Sequence, residues 1–197
     1  MDRNDLITCF NDTFEISNSE KLSDSTEKAK QSNRVYFENF VSNKNRSKYN
    51  ADIIVEANTT FAVAKKYCEF GKTAVLNFAN PEVAGGGVAN GAMAQEECLC
   101  RSSNLYACID DRNVFNDYYA YHRNNRNYFY SNRLIYTKDV TVFKSDDEIP
   151  QIMPENEWFN VDVITCAAPY LGKQKYTNQT VLKEVFKSRI KNVLNRQ

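Results

Sequence analysis

Residues 73–100 read TAVLNFANPEVAGGGVANGAMAQEECLC, and this stretch decides the fold class. Its first part, Thr73 to Ala79, is an apolar run bounded by turn residues, the pattern of a strand buried on both faces of a sheet. Pro81 and the consecutive glycines Gly85, Gly86 and Gly87 predict a loop, and a helix-compatible stretch follows from about Ala92 to Ala107. The glycines can take backbone angles closed to other residues, so their amides can approach a ligand without side chains in the way. A helix starting behind them adds unpaired N–H groups and the positive end of its dipole. Strand, loop and helix thus have the parts of an anion-binding device, although a glycine cluster alone is more often a tight turn.

Outward from this stretch, strand and helix signals alternate. Ile53-Ile54-Val55 predicts a short strand, Thr59-Thr60 an N-cap for a helix through Phe61, Ala64 and Tyr67, and Gly71 its stop. Further strands are expected at Leu134 to Thr137, Val140 to Phe143 and Val161 to Thr165, with a helix plus loop over Asn116 to Tyr130. In the last segment, Thr180 to Leu194, helical spacing sets Val181, Leu182, Val185, Phe186, Ile190 and Val193 on one face. Lys183, Lys187, Arg189 and Lys191 then form its solvated side. The polar first fifty residues read as helical pieces covering a core through Leu6, Phe10 and Val35. The alternation implies a mainly parallel α/β sheet.

The chain has 197 residues, a one-domain length, and 25 basic against 25 acidic side chains, so no global basic field holds a polyanion nonspecifically. An anionic ligand must be caught locally. No run of about eighteen apolar residues occurs, and the polar, acidic N-terminus lacks the form of a secretory signal. A cytoplasmic protein is expected, with no membrane partner and no direct nucleic-acid binding. Its six cysteines are scattered without a C-x-x-C pair and read as reduced thiols. The one histidine, His122, is expected at the surface or internally satisfied, and no metal site is expected. The aromatic residues Tyr118, Tyr119, Tyr121, Tyr128, Phe129 and Tyr130 suit a core, with stacking on adenine as the alternative.

Gln95-Glu96-Glu97 falls in the first turns of the expected helix, where adjacent carboxylates stand about 100° apart and can share one mouth of a cleft. Acidic residues there can also simply complement the helix dipole. It is with the whole run GGGVANGAMAQEE, from Gly85 to Glu97, that the sequence resembles the small microbial branch of the poly(ADP-ribose) glycohydrolases. Leu76 to Asn80 resembles the strand end that leads into this loop. Glu97 to Tyr106 and Val161 to Pro169 are similar to later parts of the branch.

The resemblance implies a macrodomain-like three-layer α/β sandwich with a mainly parallel or mixed central sheet, spanning residues 51–197 behind an N-terminal helical extension, 1–50. It implies cleavage of the ribose–ribose O-glycosidic bond of poly(ADP-ribose), with the polymer or an ADP-ribosylated protein as substrate, no cofactor, and a monomer as the acting unit. Glu97 would be general acid and then base. Glu96 would bind the ribose hydroxyls, Gln95 would support that corner, and Asn80 would contact the distal ribose. The amides of Gly85, Gly86, Gly87 and Val88 would face the diphosphate and ribose. Such chemistry passes through an oxocarbenium-like state and needs one protonated carboxyl, and two neighbouring carboxylates ionise together only at a cost. The resemblance also implies a further strand and a second glycine-rich loop after the last helix. Only Gly172 lies beyond Gly91, so these are expected to be missing. A non-catalytic ADP-ribose-binding module therefore stands as the alternative.

Overall fold

The computed structural model describes residues 2–37, 52–125, 129–170 and 178–194. Residues 126–128 of the expected helix plus loop, and Gly172, lie outside them. Four strands, β1 (Arg34–Tyr36), β2 (Ala74–Phe78), β3 (Leu134–Val142) and β4 (Phe159–Cys166), form one sheet in the order β1-β3-β4-β2. The sheet is mixed. β2 and β4 run parallel, with Leu76 opposite Ile164, whereas β3 is antiparallel to both β4 and β1. The β3–β4 connection holds only a 3-10 turn, Glu155–Glu157, so no helix carries the chain back over the sheet and the strands must reverse.

Helices pack on both faces, giving three layers. On one face Val75, Val140, Val142, Val161 and Val163 meet Phe10 of α1 (Arg3–Ser17), Phe61 of α3 (Thr60–Tyr67), Leu99 of α4 (Gln95–Ser102) and Ile109 of α5 (Leu105–Ile109). On the other, Leu134, Ile164 and Cys166 meet Leu76, Tyr136 and Val193 of α8 (Gln179–Leu194). α1 opens on a capping box between Asp2 and Asp5, which satisfies its first amides. Between α5 and β3 lie α6 (Arg112–Val114), a π-helical turn (Phe115–Ala120) and α7 (Tyr121–Asn124).

Several expectations are corrected. Ile53 and Val55 are each 92% exposed and form no strand; a short apolar run becomes a strand only where a neighbour supplies the ladder. Val35, expected in a helical piece, lies instead in β1, which α2 (Ser23–Gln31) precedes along the edge of β3. The two strands expected at 134–137 and 140–143 are one, bent by a bulge in which Asp139 takes a φ of 52°. The helix expected from Ala92 starts at Gln95 and breaks at Ser103, separating α4 from α5. α8 buries Arg189 and Asn192 beside Val193, while Lys183, Lys187 and Lys191 are exposed as expected. Arg189, expected in solvent, is 5% exposed, while Ile190 is 55% exposed. The Arg189 guanidinium donates to the Ala167 carbonyl (2.6 Å), the Phe129 carbonyl (2.7 Å) and Asn132 Oδ1 (3.3 Å), and burial of that charge holds only where such acceptors stand.

All six cysteines are free thiols. His122 is buried and satisfied at Nε2 by Ser131 Oγ (2.8 Å), and burial lowers its pKa to about 4. Tyr118 and Tyr119 are core residues, packed with Val114 and Ile135. Among the described residues no helix is long and apolar enough to cross a membrane, and no cluster of three or more His, Cys, Asp or Glu side chains suits a metal ion.

Candidate active site at the end of strand β2

The site forms where β2 ends and the chain turns through the glycine loop into α4. Asn80 shapes the turn: its Oδ1 accepts from the Glu82 and Val83 amides at 2.8 and 3.0 Å. Gly85 and Gly86 then take φ values of 65° and 57°, the left-handed region that side-chain-bearing residues avoid. A Cβ on Gly85 would lie 2.6 Å from the Tyr106 ring, and one on Gly86 would lie 2.6 Å from Glu97 Oε1 and 3.1 Å from Glu96 Oε2. The loop is thus folded directly over the two carboxylates. From the other side α1 braces it, with Arg3 Nε donating to the Asn90 carbonyl and the Arg3 backbone packed against Gly91.

Gln95 ties the start of α4 to the strand. Its Nε2 donates to the Leu76 carbonyl (2.7 Å) and Thr60 Oγ1 (3.2 Å), and its Oε1 accepts from the Phe78 amide (2.9 Å). The side-chain amide thereby pairs with the edge of β2 as a neighbouring strand would. Next to it, Glu96 is only 3% exposed; its Oε2 accepts from the Asn80 amide (2.7 Å) and its Oε1 from Asn77 Nδ2 (3.2 Å). Glu97 is 7% exposed. Its Oε1 accepts from the Gly87 amide (2.9 Å), and its Oε2 has no protein partner. The Gly86 amide donates to the Val83 carbonyl and the Val88 amide to the Gly85 carbonyl, each at 3.1 Å, while the Val88 side chain is buried in the core.

Burial raises the Glu96 pKa to about 7; the hydrogen bonds from Asn80 and Asn77 pull against that rise, and the charge of Glu97 adds to it. The folded value lies above the unfolded one, about 4.3 for a glutamate. The contribution of Glu96 to stability is therefore present below that unfolded value and is lost as pH rises to about 7. Replacing Glu96 with Gln removes the loss, which amounts to about 3 kcal/mol. The melting temperature of Glu96→Gln relative to the parent is expected to rise by roughly 5–10 °C between pH 5 and pH 8. A difference that stays flat across that range overturns the assignment of a raised carboxyl to Glu96.

Two contributors escaped the sequence reading, Asn77 and Tyr106. Asn77 carried a signal, a polar residue in the middle of an apolar run, which burial obliges to find a partner. Tyr106 carried none, since its place beneath Gly85 comes only from the packing of α5 against the loop.

Residues 5–145 match the family described as microbial-type PARG, catalytic domain. Among solved structures, the poly(ADP-ribose) glycohydrolase of Thermomonospora curvata is 27% identical, with a TM-score of 0.78 over 98% of this chain and 74% of that one. The same enzyme bound to the inhibitor ADP-HPD has a TM-score of 0.79 at 27% identity, over 98% of this chain and 73% of that one. The poly(ADP-ribose) glycohydrolase of Deinococcus radiodurans in complex with ADP-ribose is 29% identical, with a TM-score of 0.72 over 86% of this chain and 70% of that one. No curated protein matches. The chain, with its glycine loop folded onto paired glutamates, belongs to the family of microbial-type PARG catalytic domains.

Proposed function

We propose that this chain hydrolyses the ribose–ribose O-glycosidic bonds of poly(ADP-ribose), releasing ADP-ribose, through the carboxylate pair Glu96 and Glu97. The observation that carries the proposal is the convergence of both carboxylates, each almost fully buried, on the backbone of Gly86. Glu97 Oε2 has no protein partner, which suits the atom that delivers a proton to the leaving oxygen and then withdraws one from water. Both oxygens of Glu96 are held, which suits a group that fixes the ribose hydroxyls beside the scissile bond. Asn80 and the loop of Gly85, Gly86, Gly87 and Val88 border the space where the diphosphate and distal ribose would lie, and Gln95 supports the corner from behind. The complex of the Deinococcus relative with ADP-ribose supports this ligand class.

A module that binds ADP-ribose without cleaving it would use the same loop, but it has no need of a buried carboxyl oxygen left without a partner. Incubating the purified protein with poly(ADP-ribose) and assaying free ADP-ribose tests the reading. Release is expected; tight binding without release would favour the non-catalytic module.

A further inference from the structure

Asn77 lies in the middle of β2 with no exposed surface, and its amide bridges two elements. Nδ2 lies 3.2 Å from Glu96 Oε1 and 3.3 Å from the hydroxyl of Thr165, a fully buried residue on β4, whereas Oδ1 has no partner. Parallel pairing puts Asn77 opposite Thr165, so the contact is set by the sheet register itself. A buried acceptor left unsatisfied is costly, and this one belongs to a group that can be rotated.

The chemistry of the three side chains fits together. With Nδ2 toward Glu96 the amide donates to a carboxylate. Turned by 180°, it presents Oδ1, which accepts from a carboxylic acid O–H. Thr165 can follow either state, because its hydroxyl accepts from Nδ2 and, after its proton rotates, donates to Oδ1. The contact with Thr165 survives the turn, and the acceptor left idle in one state is used in the other, while Nδ2 then takes the position where no partner stands.

From this geometry we infer that Asn77 is a positioning residue of the site, a reversible amide that, backed by Thr165, holds Glu96 in both of its protonation states. The role rests on the reading of Glu96 and Glu97 as the working carboxylates. The titratable groups facing Glu96 are Glu97 and Cys100 on its own helix and Tyr118 and Tyr119 on the π-helical turn, while β2 and β4 contribute the uncharged Asn77 and Thr165. Burial holds Cys100, Tyr118 and Tyr119 far on the neutral side; at Glu96 burial raises the proton affinity, the Asn80 amide and the Asn77 side chain pull against it, and the charge of Glu97 adds to the rise.

Carboxyl-carbon NMR titration of Glu96 in the full chain tests this without any substrate. Asn77→Leu, close in shape but unable to hydrogen-bond, should move the Glu96 midpoint up by about one pH unit, because the charge-assisted bond lost by the ionised form is stronger than the neutral one lost by the acid. Asn77→Gln, which keeps the amide, should move it less. Thr165→Val, the variant least disturbing to the fold, should shift the midpoint in the same direction by a smaller amount. A midpoint unchanged in both Thr165→Val and a folded Asn77→Leu overturns the inference. If Asn77→Leu does not fold, Thr165→Val decides alone. Where the protein also releases ADP-ribose, the acid-to-base profile of kcat should shift with the midpoint while KM stays within a few-fold. A titration that shifts in a protein that cleaves no polymer would reject the proposed activity but keep the role of Asn77.

Discussion

Glu97→Gln is expected to lower kcat for release of ADP-ribose by about three orders of magnitude while leaving ADP-ribose affinity within a few-fold of the parent. The substitution keeps the volume of the side chain and its Oε1, so the hydrogen bond from the Gly87 amide (2.9 Å) survives and the loop stays closed over the pair. What changes is the second oxygen. Oε2, which has no protein partner, becomes an NH2 group that can neither deliver a proton to a leaving alkoxide nor take one from water. Loss of kcat without loss of binding is the signature of an interaction made in the transition state alone. Single-turnover assays of polymer cleavage, paired with calorimetric titration of ADP-ribose, measure both quantities. If the variant retains a tenth or more of the parental kcat, the acid is another group.

The second large effect is expected at Gly86, where valine should reduce kcat/KM at least a hundredfold and lower stability by about 2 kcal/mol. Two causes act together. A φ of 57° places a β-branched residue in the left-handed region, which costs about 1–2 kcal/mol before any contact is counted. Its Cβ would also stand 2.6 Å from Glu97 Oε1 and 3.1 Å from Glu96 Oε2, so either the loop must lift or both carboxylates must move. Each outcome separates groups that have to be placed within about half an ångström to work. Thermal unfolding reports the strain, and ADP-ribose affinity and polymer cleavage report the displacement. A folded Gly86→Val protein with parental turnover would mean that the loop does not set the carboxylate positions.

Most of this site is contiguous in the chain, which is why so much of it can be read from residues 73–100. An apolar run, glycines and a helix start are local signals: they depend on allowed backbone angles and on neighbours within a turn or two. Glu96 and Glu97 share one mouth because adjacent helical residues project at a fixed angle, and sequence suffices for that. That local logic fails at the partners. Asn77 meets Thr165 across 88 positions, and the raised proton affinity of Glu96 comes from burial beneath a loop braced by α1. It fails again where an apolar pattern lacks a neighbour, as at Ile53 and Val55, and where a polar demand outweighs one, as in α8, whose Arg189 is drawn inward by the Ala167 and Phe129 carbonyls. The sequence by itself determined the strand, the glycine loop, the following helix and the carboxylates they carry. Tertiary structure alone decided which strands pair and in which direction, which face of α8 is buried, and what environment the carboxylates share. The physical reason is range: backbone preference is a property of adjacent residues, whereas burial and the satisfaction of polar groups are settled only when distant segments meet.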